Sequence, residues 1–339
     1  MKIALDAMGG DHAPREIVRG AWEACRENGL EVVLVGDRDT LVKEIDELAE
    51  PCSALEIVHA TEVIAMDEAP AVAVRRKKNA SVVVAAELVR SGHVKAMVSA
   101  GSTGATMAAA LLNWGRIPGI ARPAIASVLP TVRGVTILLD VGANVDCKPK
   151  HLLQFAVMGS LYAQKILGID SPRVGLVNVG EESSKGNELT QQTYPLLQEA
   201  PVNFYGNIEG RDIFQGTVDV AVCDGFVGNV VLKTGEGLAD ALMKMIKREM
   251  QQSSLAKIGA TLTLPAMRNL KKRLDYSEYG GAPLLGVNGV AIVCHGTSRA
   301  LAIKNALFRA RESVEAGLIG AIGASLHDPV REVGYVDGM

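Results

Sequence analysis

Apolar and polar positions along this chain fall into a repeating block. A short β-branched run gives way to a polar, glycine-bearing turn, then to a stretch of helical period. Residues 2–6 read as a strand, and residues 14–28 as a helix with Pro14 at its start and Gly29 just past its end. A strand at 31–35, a helix at 40–50 and a strand at 55–60 continue the rhythm. Helices at 69–78 and 81–91 precede a strand at 96–98 and an alanine-rich helix at 103–114 that can lie close to a sheet. Residues 123–129 and 135–139 pair as a hairpin across the turn at 130–134. A long helix at 149–167 leads to a buried parallel strand at 173–179, and the alternation runs on through Tyr205 and Val222. This order predicts an α/β fold. No internal repeat, low-complexity linker or clear domain boundary interrupts residues 1–339, so one unit is expected.

Six of the strands end in loops rich in glycine and polar groups. The fullest is the run from Asn178 to Asn187, with Glu181, Glu182, Ser183, Ser184, Lys185 and Gly186 inside it. A plain connection needs about two such residues. The other five follow the strands that end near Asp6, Val98, Leu139, Val222 and Val293. In open α/β sheets, ligands bind outside the carboxyl ends of strands. If the six strands are parallel and adjacent, their loops form one shared rim.

Composition narrows the function classes. Of 339 residues, 48% are apolar but only 4% aromatic, so Ala, Val, Leu, Ile and Gly must fill the core. A net charge of −3 argues against nonspecific nucleic-acid binding. The five cysteines, at 25, 52, 147, 223 and 294, are odd in number and form no C-x-x-C pair. They predict a reduced, intracellular protein without a disulfide framework or structural zinc. Neither a signal-peptide pattern nor a membrane-length apolar run is present.

The loops carry the candidate chemistry. Ser99-Ala100-Gly101-Ser102-Thr103-Gly104 opens a helix, where backbone amides and a hydroxyl pair suit a phosphate. An ordinary capped helix start is the plain alternative. The loop is neither a Walker A sequence nor G-x-G-x-x-G. Lys185 near a helix start opposes the helix dipole unless an anion sits there; otherwise it is a surface lysine among Glu181, Glu182 and Glu188. Asn187 and Asn229 carry amides that either donate toward a carbonyl or phosphate oxygen or serve turns beside glycine. His12, beside Asp11, and His295, before Gly296, are candidates for proton transfer or anion donation. Asp6, Asp140, Asp146 and Asp224 offer oxygens to a divalent metal, but their spacing matches no known loop, so they are read as orienting donors. Cys223 and Cys294 end apolar runs and read as core, and no G-x-S-x-G elbow exists.

Residues 232–276 break the rhythm and read as two helices with a tip between them. Within them Lys244, Lys247, Arg248, Lys257, Arg268, Lys271, Lys272 and Arg273 face Glu249 alone. Such a basic arm is either a solvated or dimer-forming element, or a docking surface for an acidic protein or anionic membrane. At its tip Leu255, Ile258 and Leu262 share one helical face, which suits burial in a dimer or shallow insertion at a bilayer surface.

The loops together resemble a known family. Asp6-Ala7-Met8-Gly9-Gly10-Asp11-His12-Ala13-Pro14 is similar to the opening signature of bacterial phosphate acyltransferases of phospholipid synthesis. Asp140-Val141-Gly142-Ala143-Asn144-Val145-Asp146, the run 178–187, the run 223–229, Gly281 to Gly286 and His295-Gly296-Thr297-Ser298 look like that family's other blocks, in order. The resemblance implies a three-layer α/β/α fold with a Rossmann-like sheet, similar to isocitrate/isopropylmalate dehydrogenases and phosphotransacetylase, an active-site cleft and a protruding helical arm. It implies acyl transfer from acyl carrier protein to inorganic phosphate without a cofactor, giving acyl phosphate for glycerol 3-phosphate acylation. It also implies a cytoplasmic homodimer, peripheral on the inner face of the cell membrane. Phosphate is then expected on Ser102, Thr103 and Gly104, with Lys185, Asn187, Asn229, His12 and His295 at the reacting atoms. Asp11, Asp140, Asn144 and Asp224 support the rim. Arg268, Lys271, Lys272 and Arg273 meet the acidic carrier, and Leu255, Ile258 and Leu262 meet lipid. Two rivals are an oxidoreductase of the related dehydrogenase architecture and a noncatalytic scaffold for carrier protein at the membrane.

Overall fold

Strand side chains divide between two faces with a period of two, and here both faces are buried. In β1 (Lys2–Asp6), Ile3 and Leu5 enter one core while Ala4 enters the opposite one. Val32 and Leu34 of β2 (Glu31–Gly36) follow Ile3 and Leu5, and Val33 and Val35 follow Ala4. The computed structural model describes residues 1–326, apart from the side chains of Ser254, Leu255, Ile258, Tyr276 and Leu326.

The first half continues with α1 (Arg15–Asn28), α2 (Arg38–Asp46), β3 (Leu55–His59), α3 (Pro70–Arg76), α4 (Ser81–Arg90), β4 (Ala96–Ser99) and α5 (Thr103–Trp114). The second holds β5 (Ala124–Thr131), β6 (Gly134–Leu139), α6 (Pro149–Leu167), β7 (Arg173–Val177), α7 (Glu188–Glu199), β8 (Asn203–Ile208), α8 (Gly210–Gln215) and β9 (Val220–Val222). Then come α9 (Gly225–Glu249), α10 (Ser254–Leu274), a 3₁₀ turn, β10 (Ala282–Leu285), β11 (Val290–Val293), α11 (Ala300–Glu315) and α12 (Leu318–Leu326). Among the described residues, 11 strands join one sheet in the order β3-β2-β1-β4-β11-β10-β5-β6-β9-β7-β8. Helices α3, α4 and α5 cover one face, and α1, α11, α6 and α12 the other, giving three layers.

The single rim expected from six strand ends does not form. Strands β1, β4 and β11 are adjacent and parallel, as are β6, β9 and β7. Between the two triads β10 runs antiparallel to β11, β5 antiparallel to β10, and β6 antiparallel to β5. Three reversals turn the second triad against the first, so the six loops make two rims. The β5–β6 hairpin is where the sequence places it, with Thr131 opposite Gly134. The first arm helix begins at Gly225 rather than near Leu232, because Asp224 caps it by accepting from the Val227 amide at 2.9 Å.

Close packing demands small residues at defined places. A Cβ on Gly159 of α6 would lie 2.6 Å from Val220 Cγ1 of β9. By contrast, a Cβ on Gly237 of α9 would meet nothing within 4 Å. Gly159→Val is expected to lower stability by about 1–3 kcal/mol through overpacking. Gly237→Ala is expected to raise it by roughly 0.5–1 kcal/mol, because glycine is a poor helix former. Urea unfolding midpoints that move in opposite directions confirm this packing; parallel shifts contradict it.

Candidate active site

The first triad brings three glycine loops into contact. The Asp11 amide donates to the Gly296 carbonyl at 2.8 Å, joining the loop after β1 to the loop after β11. The Cys294 amide donates to the Ser99 carbonyl at 2.8 Å, joining β11 to β4. Gly9 presses on Gly101 so closely that a Cβ at position 9 would lie 2.7 Å from the Gly101 nitrogen. Gly10 takes φ +106°, a backbone conformation that other residues rarely adopt. Ser102 caps α5, its Oγ accepting from the Ala105 amide at 3.4 Å. The helix start thus faces the other two loops, with first-turn amides that an anion can satisfy.

These loops open onto a cavity of about 1070 Å³. Its polar lining includes Asp11, Ser102, Thr103, Asn229 and His295, with Gly104 beside them. Its floor includes Ile125, Val128 and Leu129 of β5, and its remaining wall Leu238, Leu242 and Ile246 of α9 with Leu270 and Leu274 of α10. The cavity therefore joins one rim to the start of α9 at the other, across the strands that reverse the sheet. His295 Nδ1 accepts from the Thr297 amide at 3.2 Å, which puts the proton of the neutral ring on Nε2.

The second rim supports Asn229. Asp140 is 0% exposed, and its carboxylate accepts from the amides of Ile125, Ala143 and Asn144 at 3.0, 3.1 and 2.7 Å and from Asn144 Nδ2 at 2.9 Å. Burial pushes its pKa up, and these donors oppose that rise. Asn144 also donates to the Pro123 carbonyl at 2.7 Å, and its own carbonyl accepts the Gly225 amide at 2.7 Å. Gly228 packs against the Asp140 carbonyl, and Gly142 runs beside the Asn229 side chain. Asp140, Asn144 and Asp224 thereby set the first turns of α9; none of them lines the cavity.

Of the five residues expected at the reacting atoms, three also lie apart from the cavity lining. Lys185 and Asn187 sit in the loop after β7, which closes on itself. Asn178 Nδ2 donates to the Lys185 carbonyl at 3.1 Å, and Gln191 Nε2 to the Ser184 carbonyl at 2.9 Å. Asn187 Oδ1 caps α7, accepting from the Thr190 amide at 3.0 Å. His12 lies at the entry to α1, where its carbonyl accepts the Glu16 amide at 3.2 Å. The cysteines fit the core reading: burial pushes the Cys294 thiol up to about 12 and the Cys223 thiol well above its ordinary value.

On α10, Arg268, Lys271, Lys272 and Arg273 are exposed, and Lys272 pairs loosely with Glu278 at 3.7 Å. Leu262 is 77% exposed, while the Leu255 and Ile258 side chains lie outside the described residues. The apolar wall was missed in the sequence, although Leu238, Leu242 and Ile246 recur at a helical i, i+4, i+8 spacing. The buried Asp6 was noticed there only as one of four carboxylates.

Comparison with known proteins fits this architecture. The phosphate acyltransferase of Pelotomaculum thermopropionicum is 63% identical over 326 residues, covering 96% of this chain and 95% of that protein. That of Heliobacterium modesticaldum is 60% identical, covering 98% of this chain and 100% of that protein. In structure, the chain is similar to the EutD phosphotransacetylase from Staphylococcus aureus, with a TM-score of 0.63 and 18% identity over 92% of this chain and 94% of the other. The 4-hydroxythreonine-4-phosphate dehydrogenase from Klebsiella pneumoniae aligns with a TM-score of 0.50 and 14% identity, over 91% and 98%. These two likenesses concern the fold alone. The family described as Fatty acid synthesis protein matches residues 1–320, and with relatives of this identity over nearly its whole length the chain belongs to the phosphate acyltransferase family, whose members are acyltransferase enzymes.

Proposed function

We propose that this enzyme transfers a fatty acyl group from acyl carrier protein to inorganic phosphate, releasing acyl phosphate for glycerol 3-phosphate acylation. The observation that carries this reading is the two-sided cavity. Its glycine rim, with Ser102, Thr103 and Gly104, offers amides and hydroxyls to a phosphate. Its apolar wall, with Leu238, Leu242, Ile246 and Leu270, offers a long hydrocarbon a place out of water.

The chemistry needs positioning above all. A phosphate oxygen attacks the thioester carbonyl carbon; a C–O bond forms, the C–S bond breaks, and the carrier leaves as its thiolate. Holding phosphate beside the thioester makes the attack intramolecular. The carbonyl oxygen gains negative charge on the way, and Asn229 and His295 are side-chain donors in the cavity lining assigned to it. Asp11 orders the rim through the hydrogen bond that its backbone amide donates to the Gly296 carbonyl. Lys185, Asn187 and His12 lie outside the cavity lining and have no part in this step. High thiol pKa values at Cys223 and Cys294 favour direct transfer over an acyl-enzyme.

The chain works as one catalytic unit, with the basic arm at 232–276 as its docking element. Arg268, Lys271, Lys272 and Arg273 steer the acidic carrier, and Leu270 and Leu274 on the same helix continue into the cavity. The enzyme is a cytoplasmic homodimer that touches the inner face of the cell membrane through the arm tip. Among the described residues no helix is long and apolar enough to cross a membrane.

Purified protein, acyl carrier substrate and phosphate should give an acyl phosphate that hydroxylamine traps as the hydroxamate. Long acyl chains should outperform acetyl. Thioester loss indifferent to phosphate would instead identify a hydrolase.

Asn229→Ala should lower kcat by about 10²–10³, the usual cost of one oxyanion donor. Lys185→Ala, outside the cavity, should cost less. A larger loss at Lys185 than at Asn229 would move the reacting atoms to the second rim.

Reversing charge at Lys271 and Arg273 should raise the apparent KM for carrier-linked substrate, most at low salt where screening is weakest. Leu262→Glu should weaken liposome binding and leave soluble turnover intact. Loss of the dimer and of turnover in the Leu262 variant would make the tip a subunit interface.

A further inference from the structure

Asp6 ends β1 beneath the glycine loops and is only 2% exposed. It does not line the main cavity. A buried carboxylate is costly unless donors meet it, and burial pushes this one's pKa up. Here donors converge from two loops and a helix. Ser99 Oγ donates to Oδ2 at 2.7 Å, and the Met8 amide to Oδ1 at 3.3 Å. The Gly9 amide and the Ser81 hydroxyl also lie toward the carboxylate and oppose the rise in its pKa. Ser99 Oγ in turn accepts from the Gly101 amide at 3.1 Å.

These bonds place one charge at the junction of the loops after β1 and β4. The junction has no slack. A Cβ on Gly9 would lie 2.6 Å from Asp6 Oδ2 and 2.7 Å from the Gly101 nitrogen. The Gly101 backbone leads directly into Ser102, Thr103 and Gly104. A void of about 10 Å³ behind the rim is shared by Asp6, Ser81, Ser99, Gly101 and Ser102. An apolar side chain would satisfy packing at the end of β1. It would not fix two glycine loops at a set separation.

We propose that Asp6 is a positioning residue for phosphate: through Ser99 and the Gly9 and Gly101 backbone, its carboxylate fixes the spacing of the two loops and so sets phosphate affinity. The inference rests on reading Ser102–Gly104 as the phosphate cradle. Asp6 touches neither substrate, and its effect falls on one of them.

Calorimetric titration with inorganic phosphate, alongside steady-state kinetics, tests this on Asp6→Asn and Ser99→Ala. Asp6→Asn should raise the Kd and KM for phosphate about tenfold or more, the scale of a charge-assisted hydrogen bond, with the KM for carrier substrate unchanged. Ser99→Ala should shift phosphate in the same direction by less, and it decides the matter alone if Asp6→Asn does not fold. Phosphate KM within twofold of wild type, or both KM values and kcat deteriorating together, overturns the proposal. A wild-type enzyme without phosphate-dependent turnover overturns the functional reading and this inference with it. A phosphate-dependent wild type with unchanged variants overturns this inference alone.

Discussion

The pairing of β10 between β11 and β5 governs what the rest of this molecule can do. A sheet of purely parallel strands puts all of its carboxyl-end loops on one edge. Here the antiparallel steps at β11–β10, β10–β5 and β5–β6 reverse the second half. The loops of the two halves then lie at opposite ends of the strands between them. What links them is the face of β5 itself. From Ile125 to Pro130 that strand forms the floor of the cavity, and α9 runs over it from Gly225 onward. A long substrate with one charged end fits such a trough better than a compact one does.

Each rim is built on a buried carboxylate at a strand end. Asp6 gathers donors from the loop after β1 and the last residue of β4; Asp140 gathers four from the loop after β6 and the start of β5. Unmet, either charge would be strongly destabilising. Met by backbone amides, each turns a flexible glycine loop into a fixed one. Glycines at 9, 101, 225 and 228 let the backbones approach that closely. The price in conformational entropy falls on the unfolded chain's most flexible residues, and the gain is a preformed set of amides.

Much of this was legible in the sequence. The strand–helix alternation, the β5–β6 hairpin and the polar loops follow from period, branching and glycine placement, which are local properties. Ser102, Thr103, Gly104, Asn229 and His295 were recognisable because each lies in a polar loop or beside a glycine, and the fold gathers them at one cavity. Strand direction was not legible. Nothing in residues 282–285 marks them as running against β11, since a four-residue apolar strand looks alike in both senses. Lys185 and Asn187 stood out for the same local reason as Asn229, yet their loop follows β7, beyond β9 from the cavity. Asp6 was equally hidden: its partner Ser99 lies 93 residues away in the chain.

The arm presents a separate energetic problem. Leu238, Leu242, Met245 and Leu262 are 58%, 47%, 62% and 77% exposed, on two helices that also carry most of the local positive charge. Burying each of these side chains would contribute about 1.5–3 kcal/mol. A chain that leaves them in water forgoes that stabilisation for itself and makes it available to whatever covers them. Leu238 and Leu242 face the cavity, so any apolar group that fills it recovers part of that stabilisation. Leu262 lies away from the cavity lining. Filling the cavity therefore leaves the exposed leucine at the arm tip in water, and the stabilisation available there is separate from that available in the cavity.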